Sequence, residues 1–159
     1  MKTLIVYSSK YGCTEQCAVL LKERLEREAT LCNAAEASSV ALDEFDSVVI
    51  ASPIYMGKIL PPISRFWQRH RDQLLQKRLA VFICCGFIER AEEQMEAALP
   101  RELLAHAQFK ENLGYAFDFE QMNFFDKLIV RLVGGAKTSQ NHIHQDKIAH
   151  LAALINKEW

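Results

Sequence analysis

Three short runs rich in apolar and β-branched residues stand out along the first half of the chain. They lie at residues 2–7, 46–52 and 79–85 and are six or seven residues long. Apolar runs of this length are typical of strands buried on both faces. We therefore predict three buried strands here, a weaker one at 30–34, and a fifth strand at 109–119.

The segments between these runs place apolar and charged residues at the spacing of an amphipathic helix. In residues 13–28, Cys17, Leu21 and Leu25 recur on one helical face, and charged residues occupy other positions. The proline pair at 61–62 is suited to the first turn of another helix. Further helices are predicted at residues 61–76, 91–99, 123–133 and 144–157.

Strands that alternate with helices predict parallel β-α-β units with right-handed crossovers. Five strands in 159 residues fit a doubly wound α/β fold, a three-layer sandwich whose five-stranded parallel sheet has the order 2-1-3-4-5. No repeat, low-complexity tract or linker divides the chain, so we expect one domain over residues 1–159. Ligands of such sheets bind beyond the carboxyl ends of the strands, which makes the loops after strands 1, 3 and 4 the candidate site.

Composition and charge narrow the classes of function. The formal net charge is −1, whereas a nucleic-acid-binding surface usually carries a basic excess. No apolar run approaches the ~18 residues of a membrane span, and the N-terminus lacks the features of a secretion signal, so a cytoplasmic location is expected. The five cysteines are then expected to be free thiols. Cys13 and Cys17 lie one helical turn apart, but two thiols make a poor metal site, and no metal is predicted.

The loop between the first strand and the first helix has the chemistry of a phosphate-binding site. Its hydroxyls at Ser9 and Thr14, with successive backbone N–H groups, can surround a phosphate at the positive end of the helix dipole, and Gly12 lets the backbone approach closely. The Walker and G-x-G-x-x-G patterns are absent, which favours a monophosphate. The alternative is that Ser9 and Thr14 only cap the helix. The loop comprises Ser9, Lys10, Tyr11, Gly12, Cys13 and Thr14.

The loops after strands 3 and 4 bring apolar and aromatic residues to the same edge of the sheet. Residues S-P-I-Y-M-G of the loop after strand 3 resemble an FMN-contacting segment of known flavoproteins. The resemblance implies a flat tricyclic ring at this edge, and such a ring needs apolar faces and a few backbone hydrogen bonds. Tyr55 and Met56 can pack against such a ring, and Gly57 allows the backbone to bend close to it. The alternative is that Tyr55 is an ordinary loop aromatic. The candidate contacts in these two loops are Pro53, Ile54, Tyr55, Met56, Gly57, Cys85, Gly86 and Phe87.

These loops resemble those of known flavoproteins. The first is similar to the S/T-x-T-G-x-T phosphate loop of flavodoxins, with Ser9, Gly12 and Thr14 matching and Lys10 and Tyr11 replacing small hydroxyl residues. The segment S-P-I-Y-M-G resembles the S-P-I-Y-x-G of flavodoxins and of FMN-dependent quinone or NAD(P)H reductases. The resemblance implies FMN as cofactor, a role as electron carrier or oxidoreductase, and a backbone position near the flavin N5 for the glycine of that segment.

The segment at residues 123–135 places five apolar residues on one helical face, with Lys127 and Arg131 on the other side. We expect this face to pack on the core; the alternative is a surface for a membrane or a partner protein. With the start M-K-T-L-I-V-Y-S, the segment resembles flavodoxin-like protoporphyrinogen dehydrogenases that pass electrons to menaquinone. That resemblance implies a quinone or porphyrinogen partner and peripheral membrane contact. The five residues are Phe124, Phe125, Leu128, Ile129 and Leu132.

Two classes of function remain open. The first is an FMN-dependent redox protein that acts with a redox partner protein or a small-molecule acceptor. The positive residues between Lys58 and Arg71 distinguish the chain from acidic electron carriers and favour an enzyme-type or peripheral role. The second is a non-redox binding module that keeps the fold without FMN. A phospho-acceptor regulator is disfavoured, because Tyr7 and Ser8 occupy the place where it needs paired acidic residues.

Overall fold

Five short strands form a parallel sheet at the centre of the protein. The computed structural model describes residues 1–134 and 138–159. The strands run in the order β2-β1-β3-β4-β5, which confirms the predicted doubly wound α/β fold. Their bounds are β1 Lys2–Tyr7, β2 Glu28–Asn33, β3 Ser47–Pro53, β4 Arg78–Cys84 and β5 Phe109–Asn112.

Helices cover both faces of the sheet, because its central strands are apolar on both sides. In β1, Leu4 and Val6 pack in one core, and Ile5 and Tyr7 pack in the other, as the alternation of side chains along a strand requires. This arrangement leaves the loops after β1, β3 and β4 together at one edge. The first core is covered by α2 Pro61–Leu74, α3 Ala91–Ala98 and α4 Arg101–His106, and the second by α1 Cys13–Arg24 and α6 Gln145–Glu158.

The prediction of one strand over residues 109–119 is wrong, because the chain leaves the sheet at Gly114. This residue has φ of +90°, in the left-handed region that favours glycine. A Cβ there would lie 2.0 Å from the carbonyl oxygen of His142, so the two backbones can approach this closely only at a glycine. The next strand, β6 Gly114–Phe117, pairs antiparallel with β7 Gln140–Ile143, a polar strand that the hydrophobic pattern does not predict.

The segment between β6 and β7 carries helix α5, Phe124–Gly134, whose apolar face points away from the core. Phe124 and Leu132 are 74% and 76% exposed, whereas Asp126 is 2% exposed. The expectation that the apolar face packs on the core is therefore wrong; α5 is held to the protein by a polar side chain. Gly135, the last residue of the segment at 123–135, lies outside the described residues. None of the described helices is both long and apolar enough to cross a membrane.

Candidate functional site

The loop after β1 turns the chain directly into the N-terminus of α1. Gly12 precedes the helix with φ of +85°, and no side chain caps the first turn. Ser9 Oγ and Thr14 Oγ1 are buried, yet neither has a hydrogen-bond partner among residues 1–134 and 138–159. The alternative that these hydroxyls merely cap the helix is therefore wrong. A buried hydroxyl without a partner costs about 1–3 kcal/mol, so the two hydroxyls are available to a polar ligand.

A small cavity lies against this loop at the carboxyl edge of the sheet. Its volume is about 80 Å³, and residues from the loop, β3, β4 and β6 line it, among them Ser9, Thr14, Pro53 and Cys84. Pockets for whole cofactors measure about 300–1,000 Å³. The cavity therefore suits one end of a ligand, of the size of a phosphate group, with the remainder lying across the loops beside it.

The loop after β3 is a tight turn with Met56 and Gly57 at its tip. The backbone N–H of Tyr55 donates to the Lys58 carbonyl at 2.8 Å, and the N–H of Lys58 donates back at 3.1 Å. Met56 and Gly57 both have positive φ, of 50° and 72°, and Met56 is 73% exposed. An exposed apolar side chain beside a flexible glycine is available to contact a ring that binds at this edge.

Of the three predicted contact residues in the loop after β4, Cys85 is buried and Gly86 and Phe87 are exposed. Cys85 is buried in the core beneath α2, while Cys84 is buried in the opposite core beside α1. The backbone N–H of Cys85 donates to the Gly114 carbonyl at 3.0 Å, so its side chain and its amide both serve the fold. Gly86 and Phe87 are exposed at the site. The Tyr115 ring of β6, which was not among the predicted contacts, lies 3.6 Å from the position of a Cβ on Gly86.

Asp126 of α5 is a site residue that the sequence analysis missed. The Tyr11 and Tyr55 hydroxyls both donate to its carboxylate, and Lys10 Nζ lies 2.9 Å from it. Lys10 Nζ also lies 3.4 Å from the centroid of the Tyr55 ring. One carboxylate therefore joins α5 to the loop after β1 and to the loop after β3. The signal in the sequence that could have indicated Asp126 is its position as a lone acidic residue between Phe125 and Lys127, at the start of an apolar helix.

These contacts set the ionisation of the cluster around Asp126. Burial alone raises the pKa of this carboxyl, but hydrogen bonds from Tyr11, Tyr55 and Lys10, with the charge of Lys10, outweigh burial and lower its pKa below the ordinary value. The pKa of Tyr11 is raised, first by burial and then by its hydrogen bond to Asp126. At neutral pH the Asp126 carboxylate is thus charged, and the Tyr11 hydroxyl keeps its proton.

A group of thiols lies at the start of α1, next to the phosphate loop. Hydrogen bonds from Cys17 and Cys84 lower the pKa of Cys13, and the bond to Cys13 raises the pKa of Cys17. Cys13 occupies the first position of the helix, where the dipole favours negative charge. The thiolate form is therefore favoured at Cys13 over the neighbouring Cys17 and Cys84.

The fold and the loops at its carboxyl edge define a doubly wound α/β protein with a phosphate-type loop after β1. The chain matches the flavodoxin domain family model over residues 4–143, and it belongs to the flavodoxin domain family. No curated protein sequence matches the chain. Membership of this family agrees with the prediction from the sequence that the cofactor is FMN.

Solved structures share the fold at low sequence identity. The chain is similar to the Streptococcus pneumoniae TIGR4 flavodoxin, with TM-score 0.64, 14% identity and 100% of both chains covered. It is also similar to the FMN-bound Fusobacterium nucleatum flavodoxin, with TM-score 0.61, 10% identity and coverage of 99% and 98%. For the rubredoxin oxygen:oxidoreductase of Desulfovibrio gigas, the TM-score is 0.62 and the identity 17%. Here 99% of this chain spans only 35% of that protein's length.

Proposed function

We propose that this chain binds FMN, with the phosphate in the loop from Ser9 to Thr14, and acts as a cytoplasmic redox protein. The observation that carries the proposal is the pair of buried hydroxyls, Ser9 Oγ and Thr14 Oγ1, which lack partners within the described chain. They lie at the N-terminus of α1, where backbone N–H groups and the helix dipole favour a phosphate. FMN, when bound, supplies the electron-transfer chemistry, and the protein supplies binding and orientation.

Different residues would contact the phosphate and the ring of the cofactor. Ser9 and Thr14 can donate to the phosphate, and Lys10, which lines the same cavity, adds positive charge. Met56 and Gly57 on one loop, with Phe87 on the other, offer the apolar surface that the ring requires. A ring contact of Cys85 would involve the second lone pair of its carbonyl, because its side chain and amide are already used and Asn112 Nδ2 donates to the carbonyl at 3.3 Å.

The phosphate site is tested by Thr14→Ala. Loss of one hydrogen bond to a charged group costs about 1.5–3 kcal/mol, so we expect FMN to bind roughly 13- to 150-fold more weakly by fluorescence titration. Thr14→Ser retains the hydroxyl and should retain the affinity. Thr30→Ala, at an exposed position on β2, is the control that should leave binding unchanged.

The absorbance spectrum and cofactor extraction of the purified protein separate the two classes of function. A redox flavoprotein should be yellow, or should bind added FMN with at least micromolar affinity. A colourless protein that fails to bind FMN would contradict the proposal and support the non-redox binding module. Equal FMN affinity of the wild type and Thr14→Ala would instead place the phosphate elsewhere.

A quinone or a porphyrinogen is the finer proposal for the reaction partner. It is supported by the exposed apolar face of α5, which Asp126 attaches to the loops of the flavin site. Such a face suits an apolar reactant or the surface of a membrane that contains one. We expect the reduced flavin to be reoxidised by a quinone in lipid vesicles, and Leu132→Ser to slow this reaction but not the reaction with a water-soluble quinone.

Val19→Ser is the matched control for that experiment, because Val19 is also an exposed aliphatic residue on a helix but lies on α1. It should leave both rates unchanged. If Leu132→Ser slows neither reaction or both equally, the apolar face does not deliver the quinone. Oxidation of a porphyrinogen by the FMN-loaded protein is measured separately, by the fluorescence of the porphyrin product.

A further inference from the structure

Three buried cysteines from two distant parts of the sequence meet beside the first turn of α1. Cys13 and Cys17 are separated by one helical turn and lie on the same face of α1. Cys84 reaches them from the carboxyl end of β4, 67 positions along the chain from Cys17. All three are free thiols, and their sulfur atoms lie within 4.8 Å of one another. The Cys17 and Cys84 sulfur atoms are 3.8 Å apart.

These separations match the spacing of thiolate ligands around one metal ion. With a metal–sulfur bond of about 2.3 Å, tetrahedral angles place two sulfur atoms about 3.8 Å apart. A trigonal arrangement of the same bonds places them about 4 Å apart. The three sulfur atoms could therefore ligate one ion with small side-chain adjustments, because the helix and the strand already hold them within 4.8 Å of one another.

We propose that Cys13, Cys17 and Cys84 form a binding site for one thiophilic metal ion, Zn(II) or Cu(I). Thiolates are soft ligands that select these ions over Mg(II), Ca(II) and Mn(II), and the three-residue cluster contains no carboxylate or imidazole. Each thiol that coordinates the ion releases its proton to solvent. The positive end of the α1 dipole offsets part of the negative charge of the resulting thiolates.

The surroundings of the cluster allow an ion to enter it. Cys17 is fully buried, but Cys13 and Cys84 line the cavity of about 80 Å³ next to the phosphate loop. Three sulfur ligands complete a trigonal Cu(I) site. Zn(II) prefers a fourth ligand, and the same cavity has room for a water molecule in that position.

The metal site and the proposed phosphate site adjoin at this cavity, which Cys13 and Cys84 both line. Cys17 lies outside the cavity lining and belongs to the metal site alone. The remaining cysteines provide a control, since neither joins the cluster. Cys32 lies half-buried on β2 and packs against the opposite core. Cys85, adjacent to Cys84 in sequence, points into that opposite core as well.

Metal titration of the full chain tests the site. The protein, with whatever flavin it retains, is reduced, treated with a chelator and titrated without oxygen. Zn(II) is added in competition with a chromophoric zinc chelator, and Cu(I) in competition with a copper(I) chelator. We expect one equivalent of at least one ion to bind, with a thiolate-to-metal charge-transfer band in the ultraviolet. The two affinities, each calculated from the known affinity of its chelator, show which ion the site prefers.

Cys17→Ser should weaken this binding at least tenfold and lower the intensity of the charge-transfer band, whereas Cys32→Ser should leave both unchanged. If circular dichroism shows that Cys17→Ser is unfolded, Cys84→Ser gives the same test from the other element. Failure of both ions to bind would overturn the proposal, as would equal binding by wild type and a folded cluster variant. A Cys17–Cys84 disulfide that resists reduction, detected by peptide mass spectrometry, would also overturn it. Flavin absorbance reports FMN binding separately, so failure at either site can be recognised.

Discussion

Replacement of Asp126 by asparagine tests whether one carboxylate holds α5 against the loops after β1 and β3. The variant keeps the size of the side chain but removes its charge. It loses the ion pair with Lys10 and the charge-assisted character of the hydrogen bonds from Tyr11 and Tyr55. Because α5 turns its apolar face to solvent, no apolar burial on that face compensates for the loss.

The magnitude follows from the exposure of the partners. Breaking a fully buried ion pair costs about 3–5 kcal/mol, and a hydrogen bond to a charged group contributes about 1.5–3 kcal/mol. Asp126 is 2% exposed but Lys10 is 29% exposed, so Lys10 regains water when its partner is removed. Asparagine can still accept a hydrogen bond from one tyrosine. We therefore expect the stabilisation of α5 to fall within the lower of these two ranges, by about 2 kcal/mol.

Hydrogen exchange measured by mass spectrometry is the appropriate assay, because the expected change is the local release of α5 rather than global unfolding. A loss of about 2 kcal/mol corresponds to roughly 30-fold faster exchange of α5 amides in the limit of rapid opening and closing. Amides of α6 should be unaffected. Glu120→Gln is the control, because Glu120 is an exposed acidic residue of the same segment between β6 and β7. Its α5 amides should exchange like those of the wild type.

The pH dependence provides a second criterion. The pKa of Asp126 is lower in the folded protein than in the unfolded chain, so its stabilisation is complete above the unfolded pKa of about 4. It is lost as the pH falls from there through the lower, folded pKa. Wild-type α5 should thus lose protection in this acidic range, and Asp126→Asn should lack that step. Unchanged exchange in Asp126→Asn at neutral pH would refute the assigned anchoring.

Three further substitutions test other features of the structure. Gly114→Ala should destabilise the protein by more than about 2 kcal/mol in urea unfolding, because of its positive φ and the contact with the His142 carbonyl; a smaller loss would show that β6 can separate from β7. Leu132→Ser should change the free energy of unfolding by less than about 0.5 kcal/mol, since the side chain is exposed; a large loss would mean that it is buried. Gly57→Val should shift the reduction potentials of bound FMN in spectroelectrochemistry, because valine strains the turn at φ of +72°; unchanged potentials would place this backbone away from the flavin N5.

The amino-acid sequence by itself determined the sheet and the position of the candidate site. The runs at 2–7, 46–52 and 79–85 are apolar on both sides, so helices must cover both faces wherever these strands pair. Parallel strands bring the ends of β1, β3 and β4 to one edge, which is why S-S-K-Y-G-C-T and S-P-I-Y-M-G could be assigned to one site from sequence. These inferences depend on local periodicity and chain connectivity, and a sequence contains both.

The tertiary structure decided the features that depend on contacts between distant residues. An amphipathic pattern shows that α5 has an apolar face but not what covers it; the direction of that face is set by Asp126, 115 positions from Tyr11 in sequence. The break at Gly114 depends on the approach of the His142 backbone. The sequence shows Cys13 and Cys17 only as two thiols on one helix, whereas the folded sheet places Cys84 beside them. Each of these features is a pairing of groups that the chain brings together only when it folds.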